Sequence, residues 1–127
     1  MNPTAKHKIL IVEDDPLLTK MYTTKFITEG FDVDSAADGE EGLAKATTVH
    51  PNFIVLDVMM PKLSGIDMLS RLRATEAGKD IPVIVLSNLS QEEEAKKALS
   101  LGAKEYLIKA NFTPSEVVTK VRMYLTP

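Results

Sequence analysis

Four short apolar runs in this chain each lead into residues that can do chemistry. Ile9-Leu10-Ile11-Val12 is followed by Glu13-Asp14-Asp15. Phe53-Ile54-Val55-Leu56 leads to Asp57, Val83-Ile84-Val85-Leu86 to Ser87-Asn88, and Tyr106-Leu107-Ile108 to Lys109. If those ends meet, they make a pocket of carboxylates with one hydroxyl and one ammonium. Glu13, Asp14 and Asp57 cannot all stay ionised there unaided. Two unit charges about 5 Å apart repel by roughly 3 kcal/mol at an effective dielectric near 20. Either a proton is retained or a cation is bound. Oxygen ligands without His or Cys favour a hard divalent cation, and an incomplete cage that keeps waters favours Mg²⁺ over Ca²⁺. Lys109 is a point-charge phosphate binder and Ser87 a hydroxyl donor. The set suits an anionic group attached at Asp57, since aspartate is a phosphoryl acceptor in covalent catalysis. Phosphoryl transfer needs mainly positioning and charge neutralisation. Asp15, followed by Pro16, reads instead as a helix cap.

The elements that must position these residues alternate along the chain. Continuous apolar runs suit strands covered on both faces. Phe31-Asp32-Val33-Asp34-Ser35-Ala36 alternates, as a more exposed edge strand does. Five helices are predicted between the strands. Asp15-Pro16 opens the first, with Leu18, Met21, Tyr22, Lys25 and Phe26 at helical spacing and Gly30 as stop. Asp38-x-x-Glu41 opens the second, through Leu43 and Ala46. Ser64-x-x-Asp67 opens the third, with Ile66, Leu69 and Leu72 on one face. Ser90-x-x-Glu93 opens the fourth, with Ala95, Ala98 and Leu99 inward and Gly102 as stop. Thr113-Pro114-Ser115-Glu116 opens the fifth, with Val117, Val121, Tyr124 and Leu125 on one stripe. Met21, Met68 and Met123 read as core or semi-core fillers. His50 reads as a partner of the second helix's C-terminal dipole. Glu92-Glu93-Glu94 with Lys96-Lys97 reads as dipole compensation and same-face pairing.

This alternation predicts an α/β fold: a doubly wound, five-stranded parallel sheet of flavodoxin-like (βα)5 type. The polar second strand belongs at an edge, which favours strand order 2-1-3-4-5. In such sheets the site lies beyond the carboxyl ends of the strands. Strands one, three, four and five are then neighbours, and their chemistry-bearing ends share one pocket.

Composition narrows the function. The 127 residues, 44% hydrophobic and 26% charged, suit one globular domain over 1–127 with a core at about 8–125 and no output domain. The absence of cysteine excludes disulfides, thiolate metal sites and a cysteine nucleophile. A net charge of −3 and the lack of tryptophan argue against nucleic acid as a direct partner. No apolar run approaches the ~18–20 residues that span a membrane. The polar start lacks a signal-peptide core, so a cytoplasmic location is expected.

With these residues in this order, the sequence resembles a bacterial response-regulator receiver domain of the single-domain, chemotaxis type. The resemblance runs from Lys8 to about Leu125. It rests on Ile9 to Asp15, on Asp57-Val58-Met59-Met60-Pro61-x-x-x-Gly65, on Val83 to Ser87, and on Gly102-Ala103-x-x-Tyr106-Leu107-Ile108-Lys109. It implies a phosphorylation-controlled module of a two-component or phosphorelay system. Asp57 would accept a phosphoryl group from a histidine kinase or phosphotransfer protein in a Mg²⁺-dependent step. Asp14 and Asp57 would bind Mg²⁺ directly, with the Met59 backbone carbonyl as third protein ligand and Glu13 acting through water. Ser87 and Lys109 would engage the phosphoryl oxygens. Tyr106 would be the aromatic switch that turns inward when Ser87 moves toward the phosphate. The face of the fourth helix, fifth strand and fifth helix would signal to a downstream protein. The chain would be a monomer or a weak phosphorylation-dependent dimer. It would be no enzyme beyond assisting its own phosphorylation and dephosphorylation, with apolar Met59 and Leu89 flanking the path of the hydrolytic water.

Two departures stand out. Ala110 replaces the proline that usually follows the lysine through a cis peptide. A cis bond before a non-proline costs about 3–4 kcal/mol, and the sequence leaves cis and trans open. Asn88 replaces a small residue. Rival functions fit less well. An aspartate-nucleophile phosphatase needs a second Asp at the position held by Met59. A nucleotide or flavin carrier needs a phosphate-cradling loop where Glu13-Asp14-Asp15 would repel phosphate, and G-x-x-x-x-G-K-[ST] is absent. For a phosphate-independent scaffold, the intact Asp57 and Lys109 count against it, while Ala110 counts mildly for it.

Overall fold

The computed structural model describes residues 6–88 and 92–125. Leu89 and the Ser90 cap lie outside the described residues. Five strands, β1 (Lys8–Val12), β2 (Asp32–Ala36), β3 (Phe53–Asp57), β4 (Val83–Ser87) and β5 (Glu105–Ile108), alternate with five helices. These are α1 (Pro16–Thr28), α2 (Gly39–Val49), α3 (Gly65–Arg73), α4 (Glu92–Ser100) and α5 (Pro114–Leu125). The strands pair in parallel in the order β2-β1-β3-β4-β5, the flavodoxin-like arrangement expected. The polar strand Asp32–Ala36 takes one edge.

The two-residue pleat sorts the strand side chains between two cores. Leu10, Val12, Ile54, Leu56, Val83 and Val85 pack with residues of α2, α3 and α4. Ile9, Ile11, Phe53, Val55, Ile84 and Leu86 pack with α1 and α5. Helices on both faces thus explain why these strands read as unbroken apolar runs.

The predicted helix starts are built as their residues require. Asp15 Oδ1 accepts a hydrogen bond from Leu17 N at 2.9 Å, with Pro16 at the first helical position. Thr113 and Glu116 cap reciprocally, at 3.2 Å from Glu116 N to Thr113 Oγ1 and 2.9 Å from Thr113 N to Glu116 Oε1. Ser64 Oγ accepts from Asp67 N at 3.2 Å. Asp38 Oδ1 accepts from Glu41 N at 2.8 Å, but Glu41 reaches one residue further back than a capping box does, to Ala37 N at 2.7 Å. Gly30 (φ 96°) and Gly102 (φ 84°) end their helices in the left-handed region that glycine enters without strain. His50 is the left-handed C-cap of α2.

Some packing differs from the sequence reading. Met68 is fully buried, but Met21 is 43% and Met123 67% exposed, so neither fills the core. The buried stripe of α1 is the narrow pair Tyr22 and Phe26, and Met21 stands one helical step, about 100°, to the side. Leu99, expected inward, is 50% exposed. Small Ala98 makes the buried contact of α4 and turns its neighbour outward. Tyr124 sits at the rim of the α5 stripe, its ring 6.2 Å from that of core Phe53 while 41% of the residue is exposed, and its hydroxyl donates to Glu105 Oε2 at 2.7 Å. Lys96 pairs with Glu92 at 3.3 Å, with both side chains exposed. No cis peptide occurs among the described residues, so Lys109–Ala110 is trans and opens a short 3₁₀ turn, Lys109–Asn111. Among the described residues, no helix is long and apolar enough to cross a membrane.

Candidate functional site

Parallel register brings four strand ends to one edge. Val12 stands beside Leu56, Asp57 beside Leu86, and Ser87 beside Ile108. Backbone hydrogen bonds extend the sheet past two of these ends, from Glu13 N to Ala36 O at 3.0 Å and from Val58 N to Leu86 O at 3.1 Å. Glu13, Asp57, Ser87 and Lys109 therefore emerge together, because each directly follows or ends a fully paired run.

The side chains meet as the residue types suggested. Glu13, Asp14 and Asp57 each offer a carboxylate oxygen, and these atoms lie within 4.8 Å of one another. Glu13 and Asp57 are buried, whereas Asp14 is exposed. Lys109 Nζ stands 2.6 Å from Glu13 Oε1 and 3.1 Å from Asp57 Oδ1. Glu13 Oε2 accepts from Asp15 N at 3.2 Å, and Thr19 Oγ1 donates to the Glu13 carbonyl at 3.3 Å. Ser87 is fully buried at the end of β4. Tyr106 lies on β5 beside Val85, half-buried against the core beneath α2, α3 and α4. The Met59 side chain is 57% exposed and, with Asp14, Val58, Met60, Ser64 and Glu94, lines an open groove of about 410 Å³.

Charge in this pocket is unbalanced. Burial pushes the Asp57 carboxyl above its ordinary value; Lys109 pulls it down, and the Asp14 charge pushes it up again. Burial likewise raises Glu13, against the hydrogen bond from Lys109 and with the Asp57 charge. Burial alone would lower Lys109, but Glu13 and Asp57 outweigh it, and the ammonium is held more firmly protonated than usual. Both buried carboxyls thus stay raised with a lysine already between them. One ammonium does not neutralise the cluster, and an all-oxygen donor set fits a second, hard cation.

Sequence reasoning identified the four strand ends but assigned Glu13 only to the metal's water shell. In the structure Glu13 makes the shorter of the two Lys109 pairs. Thr19 and Tyr22 were missed as neighbours of the site. Burial raises the Tyr22 hydroxyl, which also lies in the field of Lys109, Glu13 and Asp57. Their signal was the helical spacing from the Asp15 cap, four and seven residues on.

A sheet of this order carrying this acidic edge defines a class of signalling domain. The chain belongs to the response regulator receiver domain family, which matches residues 9–122. It is 40% identical over 120 residues to the probable transcriptional regulator ycf27 of Porphyridium aerugineum, covering 94% of this chain and 48% of that protein. It is 39% identical over 118 residues to the alkaline phosphatase synthesis transcriptional regulatory protein PhoP of Bacillus subtilis, covering 93% of this chain and 48% of that protein. The chain thus spans about half the length of the curated relatives it matches. Among solved structures, it resembles the Francisella response regulator 1452 receiver domain, with 36% identity, TM-score 0.85, and coverage of 93% and 95% of the two chains. It also resembles a chain of the CheX–CheY–BeF₃–Mg²⁺ complex from Borrelia burgdorferi, with 33% identity, TM-score 0.86, and coverage of 95% and 90%. Receiver domains serve phosphorylation-dependent signalling in two-component systems, generally as phosphoacceptor switches rather than as enzymes. They typically bind Mg²⁺ through an acidic cluster and interact with kinases or phosphotransfer proteins and with downstream effectors.

Proposed function

We propose that Asp57 is the phosphoryl acceptor of this domain, supported most by the meeting of Asp57, Lys109 and an unneutralised acidic cluster at one sheet edge. An Asp57 carboxylate oxygen attacks the phosphorus of a phosphohistidine on a histidine kinase or phosphotransfer protein. The new O–P bond forms as the P–N bond breaks, and the electron pair leaves with the imidazole nitrogen. Asp14, Asp57 and the Met59 backbone carbonyl would hold Mg²⁺, with Glu13 alongside through water. When bound, the ion offsets the charge on the transferring group. Lys109, already 3.1 Å from Asp57, opposes the upward pull of burial on the acceptor carboxyl and is placed to pair with a phosphoryl oxygen. The Ser87 hydroxyl donates to another.

The added group brings about −1.5 to −2 charge to Asp57. Ser87 moves toward it, Tyr106 turns inward, and the face of α4, β5 and α5 changes for a downstream protein. The chain acts as a monomer or a weak phosphorylation-dependent dimer, and we place the exchange in the cytoplasm. It also assists its own dephosphorylation, slowly, because apolar Met59 stands at the mouth. Incubation with acetyl phosphate and Mg²⁺, followed by intact-mass measurement, tests the reading. Wild type should gain one phosphoryl group and Asp57→Asn none. An undiminished adduct on Asp57→Asn would overturn the assignment.

A further inference from the structure

The loop between β3 and α3 carries Met59 and is held at both base and tip. At the base, Val58 N donates to Leu86 O at 3.1 Å and Gly65 N to Val58 O at 2.8 Å. A Cβ on Gly65 would stand 2.1 Å from the Asp57 carbonyl oxygen, so α3 begins flat against the last peptide of β3. At the tip the chain turns through Lys62 at φ 67°, a left-handed conformation that side chains seldom adopt. Leu63 then turns inward and is buried, its N–H donating to Pro61 O at 2.7 Å.

This tip rests on the start of α2. Lys62 Nζ lies 3.6 Å from Asp38 Oδ2. A Cβ on Gly39 would stand 2.1 Å from the Leu63 carbonyl oxygen and 2.8 Å from both Leu63 C and Leu63 Cβ. Gly39 is the first residue of a right-handed helix and has no positive φ, so space and not torsion demands glycine there. A backbone carbonyl cannot swing aside as a side-chain end does. Gly42, one turn on, differs in this respect. A Cβ there would meet Val12 Cγ1 at 2.8 Å, Met68 Sδ at 3.0 Å and Val12 Cγ2 at 3.1 Å, which are core side chains and not the peptide of the β3–α3 loop.

We infer that Gly39 is a positioning residue for the metal site: by carrying no side chain it lets the β3–α3 loop seat deeply enough to present the Met59 backbone carbonyl to the acidic cluster. This rests on the reading of Asp14, Asp57 and that carbonyl as Mg²⁺ ligands. A methyl group at position 39 pushes the Leu63 peptide outward. The base cannot follow, because Val58 and Gly65 are tied to β3 and β4. Met59, Met60, Pro61 and Lys62 take up the displacement. Gly39 is not itself a proposed ligand and acts only through the loop.

Met59-Met60 is the only Met–Met pair in the sequence. Labelling with carbonyl-13C and amide-15N methionine therefore yields one doubly labelled peptide, whose NMR signal reports the Met59 carbonyl during Mg²⁺ titration. In wild type this signal shifts on titration. In Gly39→Ala the midpoint should rise roughly tenfold or more, the scale on which supporting residues alter metal affinity, while circular dichroism shows the fold retained. Gly42→Ala should stay near the wild-type midpoint. A wild-type midpoint in Gly39→Ala, or an equal rise in Gly42→Ala, overturns the inference. If Gly39→Ala does not fold, the comparison is made in the slacker Lys62→Gly background, where Gly39→Ala must still raise the midpoint severalfold and equal midpoints overturn the inference. A wild-type carbonyl that ignores Mg²⁺ would instead remove the ligand reading on which the inference stands.

Discussion

Lys109 Nζ lies 2.6 Å from Glu13 Oε1, with 9% and 3% of the two side chains exposed. The lysine expected to serve the acceptor is thus held more closely by the first acid of the β1 end. Glu13 parks the ammonium between the carboxylates while Asp57 is unmodified. On the proposed function, a phosphoryl group on Asp57 would compete for it with more charge and more acceptor oxygens.

Lys109→Met removes the only cation seen among these buried acids. Taking one partner from a buried pair costs about 3–5 kcal/mol, and the lower end is expected because the two raised carboxyls can retain a proton. Urea unfolding in EDTA should show a loss of about 3 kcal/mol. Mg²⁺ should restore part of it by mass action. No loss in EDTA would mean that the pair contributes nothing to the fold.

Burial holds the Asp57 and Glu13 carboxyls above their ordinary values. The native chain therefore keeps protons that the unfolded chain, titrating at about 4, has lost. Stability rises where the native state binds more protons and pH falls, so metal-free wild type should gain stability from about pH 7 toward pH 5. Asp57→Asn should flatten this rise and melt higher at about pH 7, by roughly 3–5 °C for a gain of about 1 kcal/mol. Comparing the two proteins cancels the other titrating groups. A variant that melts lower than wild type at neutral pH in EDTA contradicts the charge imbalance.

Magnesium titration separates the acids. Asp14 is exposed at the groove, whereas Glu13 is buried and engaged with Lys109. Asp14→Ala should weaken Mg²⁺ binding more than Glu13→Ala, by roughly tenfold, as loss of a direct ligand exceeds loss of a supporting one. Equal effects would put Glu13 on the metal.

On the proposed function, Met59 should bear on the lifetime of the phosphorylated state. Its exposed thioether cannot hold an attacking water as an amide can. Met59→Asn should shorten the half-life of the adduct after the phosphodonor is removed, by roughly two- to tenfold if it supplies one net hydrogen bond of about 0.5–1.5 kcal/mol to the water. An unchanged half-life would move control of water access away from this side chain.

The sequence displayed the fold because each level agreed. Asp15-Pro16 and Thr113-Pro114-Ser115-Glu116 are local signals, and the structure builds both. Strand order followed from one polar strand among apolar ones. The acidic site was legible for the same reason, since its members directly follow or end those runs. What was not legible depends on distances between remote segments. The Glu13–Lys109 pair spans most of the chain, and its 2.6 Å contact is set by how two side chains share a buried space. The Gly39 contact with Leu63 depends on the path of a loop that no periodicity describes. Met21 and Leu99 were misplaced because helical spacing identifies a face only to within about one residue step of 100°.

On the proposed function Asp57, and no other acid of this cluster, carries the phosphoryl group. Borohydride reduction of the acetyl-phosphate-treated chain converts an aspartyl phosphate to homoserine, which peptide mass spectrometry can locate. Homoserine at position 57, appearing only with Mg²⁺ and phosphodonor together, is the expected result. Homoserine at position 14 or 15 with Asp57 intact would place the phosphoryl group on another acid and rule out Asp57 as the acceptor.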